Sequence, residues 1–125
     1  MCLLNFDKLN GLVPAIAQDW KTGEVLMQAF MNEEAFKETL KTGMSVYFSR
    51  TKNKLWKKGE ESGNFQIVKE ILIDCDNDSV LLKVEQKGNS ACHTGYRSCY
   101  YRKLKNGKLN IIGKKIFEPE EVYKK

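Results

Sequence analysis

Histidine occurs once in the 125 residues, proline twice, and long apolar runs not at all. Met1 to Asp7 shows neither the basic start nor the apolar stretch of a signal peptide, and no segment has the length of apolar residues that crosses a bilayer. The expected location is therefore the cytoplasm. There the four cysteines serve as reduced thiols, metal ligands or nucleophiles rather than as a disulfide framework. Cys2 stands apart near the terminus and reads as a spare thiol. Internal repeats, low-complexity linkers and a long basic tail are also missing. The lysines are scattered, with a short cluster at Lys52, Lys54, Lys57 and Lys58. The net charge of +5 thus suits an anionic partner without choosing among nucleic acid, membrane surface and phosphorylated metabolite. A hydrophobic content of 42% and a charged content of 30% indicate neither disorder nor a membrane protein. The length fits one domain, residues 1–125, around a single core.

What is present is mostly strand-forming. Leu12 to Asp19 reads as an apolar strand, with Pro14 acceptable near its start or on an edge. A turn at Trp20 to Gly23 and a second run, Val25 to Met31, complete a hairpin. Asn32 as N-cap, Glu33 and Glu34 in the first turn, the spacing of Ala35, Phe36, Thr39 and Leu40, and Gly43 at C′ predict a helix over Asn32 to Thr42. Ser45 to Arg50, Leu55 to Lys57, Phe65 to Asp74 and Ser79 to Gln86 follow as strands, with Gly59 to Asn64 a loop. Cys99 to Leu104 and Leu109 to Ile112 flank Asn106-Gly107, the strongest hairpin signal in the chain. Lys115 to Phe117 reads as a last strand. Pro119 with Glu120 and Glu121 suggests a short final helix. The fold class is mainly β with helix added, α+β.

Two stretches concentrate chemistry. Cys92-His93-Thr94-Gly95-Tyr96-Arg97-Ser98-Cys99 gathers two thiols, the single histidine and a guanidinium around a glycine turn. Asp74-Cys75-Asp76-Asn77-Asp78 sets a third cysteine among three carboxylates at the turn of a hairpin. Six residues separate Cys92 from Cys99, which is not the C-x2-C knuckle of a zinc ribbon or finger. This favours an open zinc site with Cys75 as third ligand over a closed structural one. Taken singly, each cysteine reads as a small apolar residue filling a gap. If strand geometry continues through the turn, Asp74, Asp76 and Asp78 share one face, opposite Cys75. Such a row of oxygens suits Mg2+, although alone it could equally decorate a polar turn. The Gly and distal Glu of a calcium loop are absent.

His93 has the pKa range of a general acid or base, although a lone histidine is more often structural. Arg97 and Lys58 are candidates for phosphate, and Trp56 and Tyr96 for stacking on a planar base, against a core role for the aromatics. A zinc-stabilised module that binds nucleic acid is the alternative from another class; finger spacing and a basic stripe with exposed aromatics are absent. A zinc deaminase of a free nucleobase lacks its H-x-E and P-C-x-x-C signature.

The chain resembles the phosphoribosyl-AMP cyclohydrolases of histidine biosynthesis over nearly its whole length. The matching stretches are Asp19 through Met27, Phe30 to Ala35, Tyr47 to Arg50, Leu55 to Glu60 and Ser62 to Asn64, together with the two motifs above, which are highly specific as a pair. The resemblance implies zinc on Cys75, Cys92 and Cys99 and magnesium on Asp74, Asp76 and Asp78. It also implies a homodimer of strongly curved antiparallel sheets, or a pseudo-barrel, capped by one helix. The zinc would be shared between subunits, with Cys75 coming from the partner. The implied reaction is hydrolytic opening of the adenine ring at N1–C6, with His93 moving a proton and Arg97, Lys58, Trp56, Tyr96 and Arg50 contacting substrate. Nucleic acid and membrane partners are not expected. Glu61 departs from the small or hydroxylic residue usual at its position, which touches only local loop contacts.

Overall fold

The computed structural model describes residues 3–92, 94–113, 115 and 116. Among the described residues, eight strands and one α-helix follow in the order β1 (Val13–Asp19), β2 (Val25–Met31), α1 (Glu33–Thr42), β3 (Val46–Ser49), β4 (Lys54–Lys57), β5 (Gln66–Ile73), β6 (Val80–Gln86), β7 (Arg102–Lys105) and β8 (Lys108–Ile111). Cys2, His93, Phe117 and the expected helix at Pro119 lie outside the described residues. No helix among the described residues is long and apolar enough to cross a membrane.

Strand periodicity builds the core. Along β1, Val13, Ala15, Ala17 and Asp19 are buried at alternate positions, and along β6 Val80, Leu82, Val84 and Gln86 repeat the pattern, so one face of the sheet is covered. Leu26, Met31, Phe36, Val46 and Tyr47 complete that core. In α1 the Asn32 side chain accepts from the Ala35 N–H, and Gly43 closes the C-terminus in the left-handed conformation. The helix buries Ala35, Phe36 and Thr39 against β3 and β2. Leu40, expected on the same stripe, is exposed, because the 3.6-residue period carries it to the rim of that face.

Two expectations are corrected. The main sheet has the order β2-β1-β6-β5 and is mixed rather than antiparallel, since β1 and β6 run parallel, Ala15 opposite Val80 through Asp19 opposite Val84. A parallel pair needs a long crossover, and everything from β2 to β5 supplies it. The remaining strands form two separate hairpins, β3-β4 and β7-β8, so the sheets do not close into a barrel. The strand expected from Cys99 begins only at Arg102. Before it, the Ser98 hydroxyl and the Cys99 N–H donate to the Val25 and Leu26 carbonyls of β2 and hold the segment as a strap. Asn106 and Gly107, both at positive φ, make the expected tight turn of β7-β8.

Candidate active site

The thiol loop is assembled by its own backbone. Ala91 N–H donates to the Arg97 carbonyl at 2.8 Å, Cys92 N–H to Tyr96 at 3.1 Å and Gly95 N–H to Cys92 at 3.0 Å. The buried Ser90 hydroxyl lies 2.7 Å from the Tyr96 carbonyl and 3.1 Å from that of Cys92. These bonds fold the loop back so that Cys92, buried, and Cys99, exposed, meet. Partial burial and the adjoining Cys92 push the Cys99 thiol up to about 12, against the pull of Lys58. Two thiols side by side become good donors once a divalent cation shares their charge. Thr94 Oγ1 lies 2.8 Å from Cys92 Sγ. Lys58 is buried beside both sulfurs; burial lowers its pKa while the thiols oppose that shift. Its Nζ donates to the Ala91 carbonyl at 2.5 Å.

The three aspartates do converge, with one ligand oxygen of each within 4.8 Å of the others. The cause differs from the expected strand alternation. The chain turns tightly there, with Asn77 at φ 63, and Asp74 Oδ1 accepts from the Asp78 and Ser79 N–H groups at 2.9 and 3.1 Å. Lys8, which no sequence signal singled out, points its ammonium into the cluster, 3.0 Å from Asp76 Oδ2 and 3.1 Å from Asp78 Oδ2. These bonds draw the Asp76 carboxyl down to about 2, whereas bonding to Asp74 first, and then Asp76, raises that of Asp78 against the pull of Lys8. Oxygen donors that already hold one cationic group suit a hard cation. Cys75 is exposed in this turn and forms no donor cluster with Cys92 and Cys99 among the described residues. Cys99 is bonded to β2 at one edge of the sheet, whereas Cys75 joins β5 to β6 at the other. At about 4.8 Å per strand, two to three steps separate them by roughly 10–14 Å.

Between β2, the β3-β4 hairpin and the loop after β4 opens a cleft of ≈ 340 Å³ that reaches Cys99, the size of a small-ligand site. Trp56 and Lys58, two of the residues expected to contact substrate, line it together with Met27, Lys52, Lys54 and Glu61. Arg50, Tyr96 and Arg97 do not line it. Arg50 lies over the Phe30 ring at 4.2 Å, and Tyr96 stacks on Tyr101 with centroids 3.8 Å apart. Arg97 has both arms engaged, Nη2 on Asp19 Oδ1 at 2.8 Å and Nε on Glu24 Oε1 at 2.7 Å, which ties the thiol loop to the β1-β2 turn. Burial tends to raise the Asp19 pKa, but the N–H groups of Thr22 and Lys21 and the Arg97 charge bring it below its usual value.

A buried polar chain went unread in the sequence. Tyr47 Oη donates to Gln66 Oε1 at 2.6 Å, and Gln66 Nε2 reaches Gln86 Oε1 at 2.9 Å and Met27 Sδ at 3.3 Å. Its signal was the placing of two glutamines at inward positions of β5 and β6.

A mainly β fold with one described helix, paired thiols at a small-ligand cleft and a carboxylate turn at the far edge of the sheet defines a small domain with the makings of an enzyme site. The family model for phosphoribosyl-AMP cyclohydrolase matches residues 27–101. A phosphoribosyl-AMP cyclohydrolase of Desulforapulum autotrophicum is 60% identical over 99% of this chain and 100% of its own length. One from Methanothrix thermoacetophila is 66% identical over 91% of each, and one from Desulfatibacillum aliphaticivorans 57% over the whole of both. The chain belongs to the phosphoribosyl-AMP cyclohydrolase family, hydrolases of the histidine pathway.

Proposed function

We propose that the chain hydrolyses 1-(5-phosphoribosyl)-AMP in the cytoplasm, opening the adenine ring at N1–C6 to give the phosphoribosylformimino-aminoimidazole carboxamide ribotide, the third step of histidine biosynthesis. The observation that carries this reading is the pair of adjoining thiols, Cys92 and Cys99, at a cleft of nucleotide size in a member of this family. Water adds at C6. Because N1 carries a ribosyl group and the ring is activated as a cation, the tetrahedral centre collapses by breaking C6–N1. N1 takes up a proton, C6 becomes a carboxamide carbon, and no ammonia leaves.

Cys92 and Cys99, with Cys75 of the partner subunit, would hold one Zn2+ per subunit. Such an ion supplies a water acidified to near-neutral pKa. Asp74, Asp76 and Asp78 would hold Mg2+ beside a phosphate or ribose oxygen of the substrate. Trp56 offers its face to the purine, and Lys58, fixed by Ala91, keeps a positive charge beside the sulfurs. His93 passes the proton between the attacking water and N1. With its donors on Asp19 and Glu24, Arg97 serves the site by holding the loop.

The separation of Cys75 from the other two thiols supports a homodimer, and so does the β7-β8 hairpin. All eight of its strand residues are exposed, among them Leu104, Leu109 and Ile111, and a lone hairpin is marginal in water. The test is an assay of zinc-loaded protein that follows ring opening by ultraviolet absorbance and ammonia in the same tube. Ring opening without ammonia, lost with a chelator and in Cys99→Ser, is expected. Ammonia release, or turnover indifferent to the chelator, would overturn the reading.

A further inference from the structure

The cleft carries its charges in an order along β4. Side chains alternate along a strand, so Lys54, Trp56 and, just past the strand end, Lys58 share one face, and all three line the cleft, which Lys57 also reaches at the strand end. Lys58 sits at the sulfurs. Four residues away, roughly 13 Å at about 3.3 Å per residue, Lys54 stands at the tip of the hairpin opposite Ser49. Ser49 and Lys52 line the cleft there as well. Neither Lys52 nor Lys54 is paired with a carboxylate among the described residues. The carboxylates on the cleft, Glu60 and Glu61, follow Lys58 in the chain, away from the tip. Glu60 and Glu61 offset Lys57 and Lys58 there, so the uncompensated positive charge on this cleft is at the tip, and an elongated anion entering it is drawn to that end.

We propose that Lys52, Lys54 and the Ser49 hydroxyl form a phosphomonoester subsite at the tip of the β3-β4 hairpin, which orients a nucleotide so that its base passes Trp56 toward Cys99. Lysine binds phosphate as a point charge on a flexible stem, and the Lys52 N–H already donates to Ser49 Oγ at 3.2 Å, which fixes the hydroxyl at the tip. The subsite deepens the ring-opening reading and rests on it for the substrate, but the ligand class, a nucleoside monophosphate, can be tested separately.

Calorimetric titration of the zinc-loaded protein with AMP and with adenosine measures the subsite directly. Wild type is expected to prefer AMP roughly ten- to hundredfold, and Lys52→Ala/Lys54→Ala to bind both alike. In turnover the double variant raises KM by a similar factor while kcat, zinc content and melting temperature hold. Lys37→Ala/Lys41→Ala, at exposed positions of α1, removes the same charge elsewhere and leaves the preference intact. No preference in wild type, a preference that survives in Lys52→Ala/Lys54→Ala, or an equal loss in the α1 variant each overturns the subsite. A protein that prefers AMP through these lysines yet opens no ring would overturn the reaction and leave the subsite standing.

Discussion

Lys8 sets an ammonium where the three carboxylates of the β5-β6 turn converge. Any divalent cation entering there must displace it, so the apparent affinity of the cluster is an exchange affinity. Lys8→Met is expected to lower the Mg2+ concentration that gives half-maximal activity severalfold; an unchanged or raised value would mean that the lysine and the cation do not compete. At Arg97 the argument runs through pH. Asp19 is held below its ordinary value, so its clamp on Arg97 contributes fully above about pH 4 and is lost as the pH falls through the lowered pKa. Arg97→Gln is expected to cost about 1–3 kcal/mol near neutral pH. The gap in melting temperature between wild type and variant should close on acidification. A gap that is constant from neutral to acid would remove Asp19 from the clamp.

At the level of elements, the loop after β4 depends on a close approach. Gly59 is at φ +94, and a Cβ there would lie 2.5 Å from the Phe65 nitrogen. Gly59→Ala is therefore expected to lose ~2 kcal/mol or more and to reshape the wall of the cleft, read as a lower denaturation midpoint together with a higher KM. Unaltered values for both would show that the loop shifts freely. The hairpins and the helix were legible in the sequence because local rules govern them: apolar, strand-forming composition in β1 and β6, Asn32 and Gly43 as caps, Asn106-Gly107 as a turn. The parallel pairing of β1 with β6 was not, since it depends on where a long crossover lands. Nor was the strap at Cys99, whose hydrogen bonds go to Val25 and Leu26, far away in the chain. Within the site, cysteine and aspartate spacing pointed to the thiol pair and the carboxylate cluster. The partners Lys8, Asp19 and Glu24 carry no local pattern that ties them to the two motifs until the fold brings them in.

On the scale of the whole molecule, the proposed sharing of one zinc site between two subunits predicts complementation. Cys75→Ser and Cys99→Ser dimers, each inactive alone, should on mixing regain about a quarter of wild-type activity, since random reassortment makes half the dimers mixed and each holds one intact site. No recovery after proven exchange of subunits would place all the ligands within one chain. Ile111→Glu on the exposed hairpin should turn the dimer into a monomer by light scattering and abolish turnover with it; an active monomer would break the link. One consequence of the β2-β1-β6-β5 order concerns the newly made chain. Ala15 pairs with Val80, 65 positions later, so the first hairpin emerges with its apolar face bare and its inner edge unpaired until β6 has been synthesised. Such distant pairing slows folding and leaves an unpaired strand edge exposed to association, so one of the two central strands of the sheet is also the one that waits longest for its neighbour.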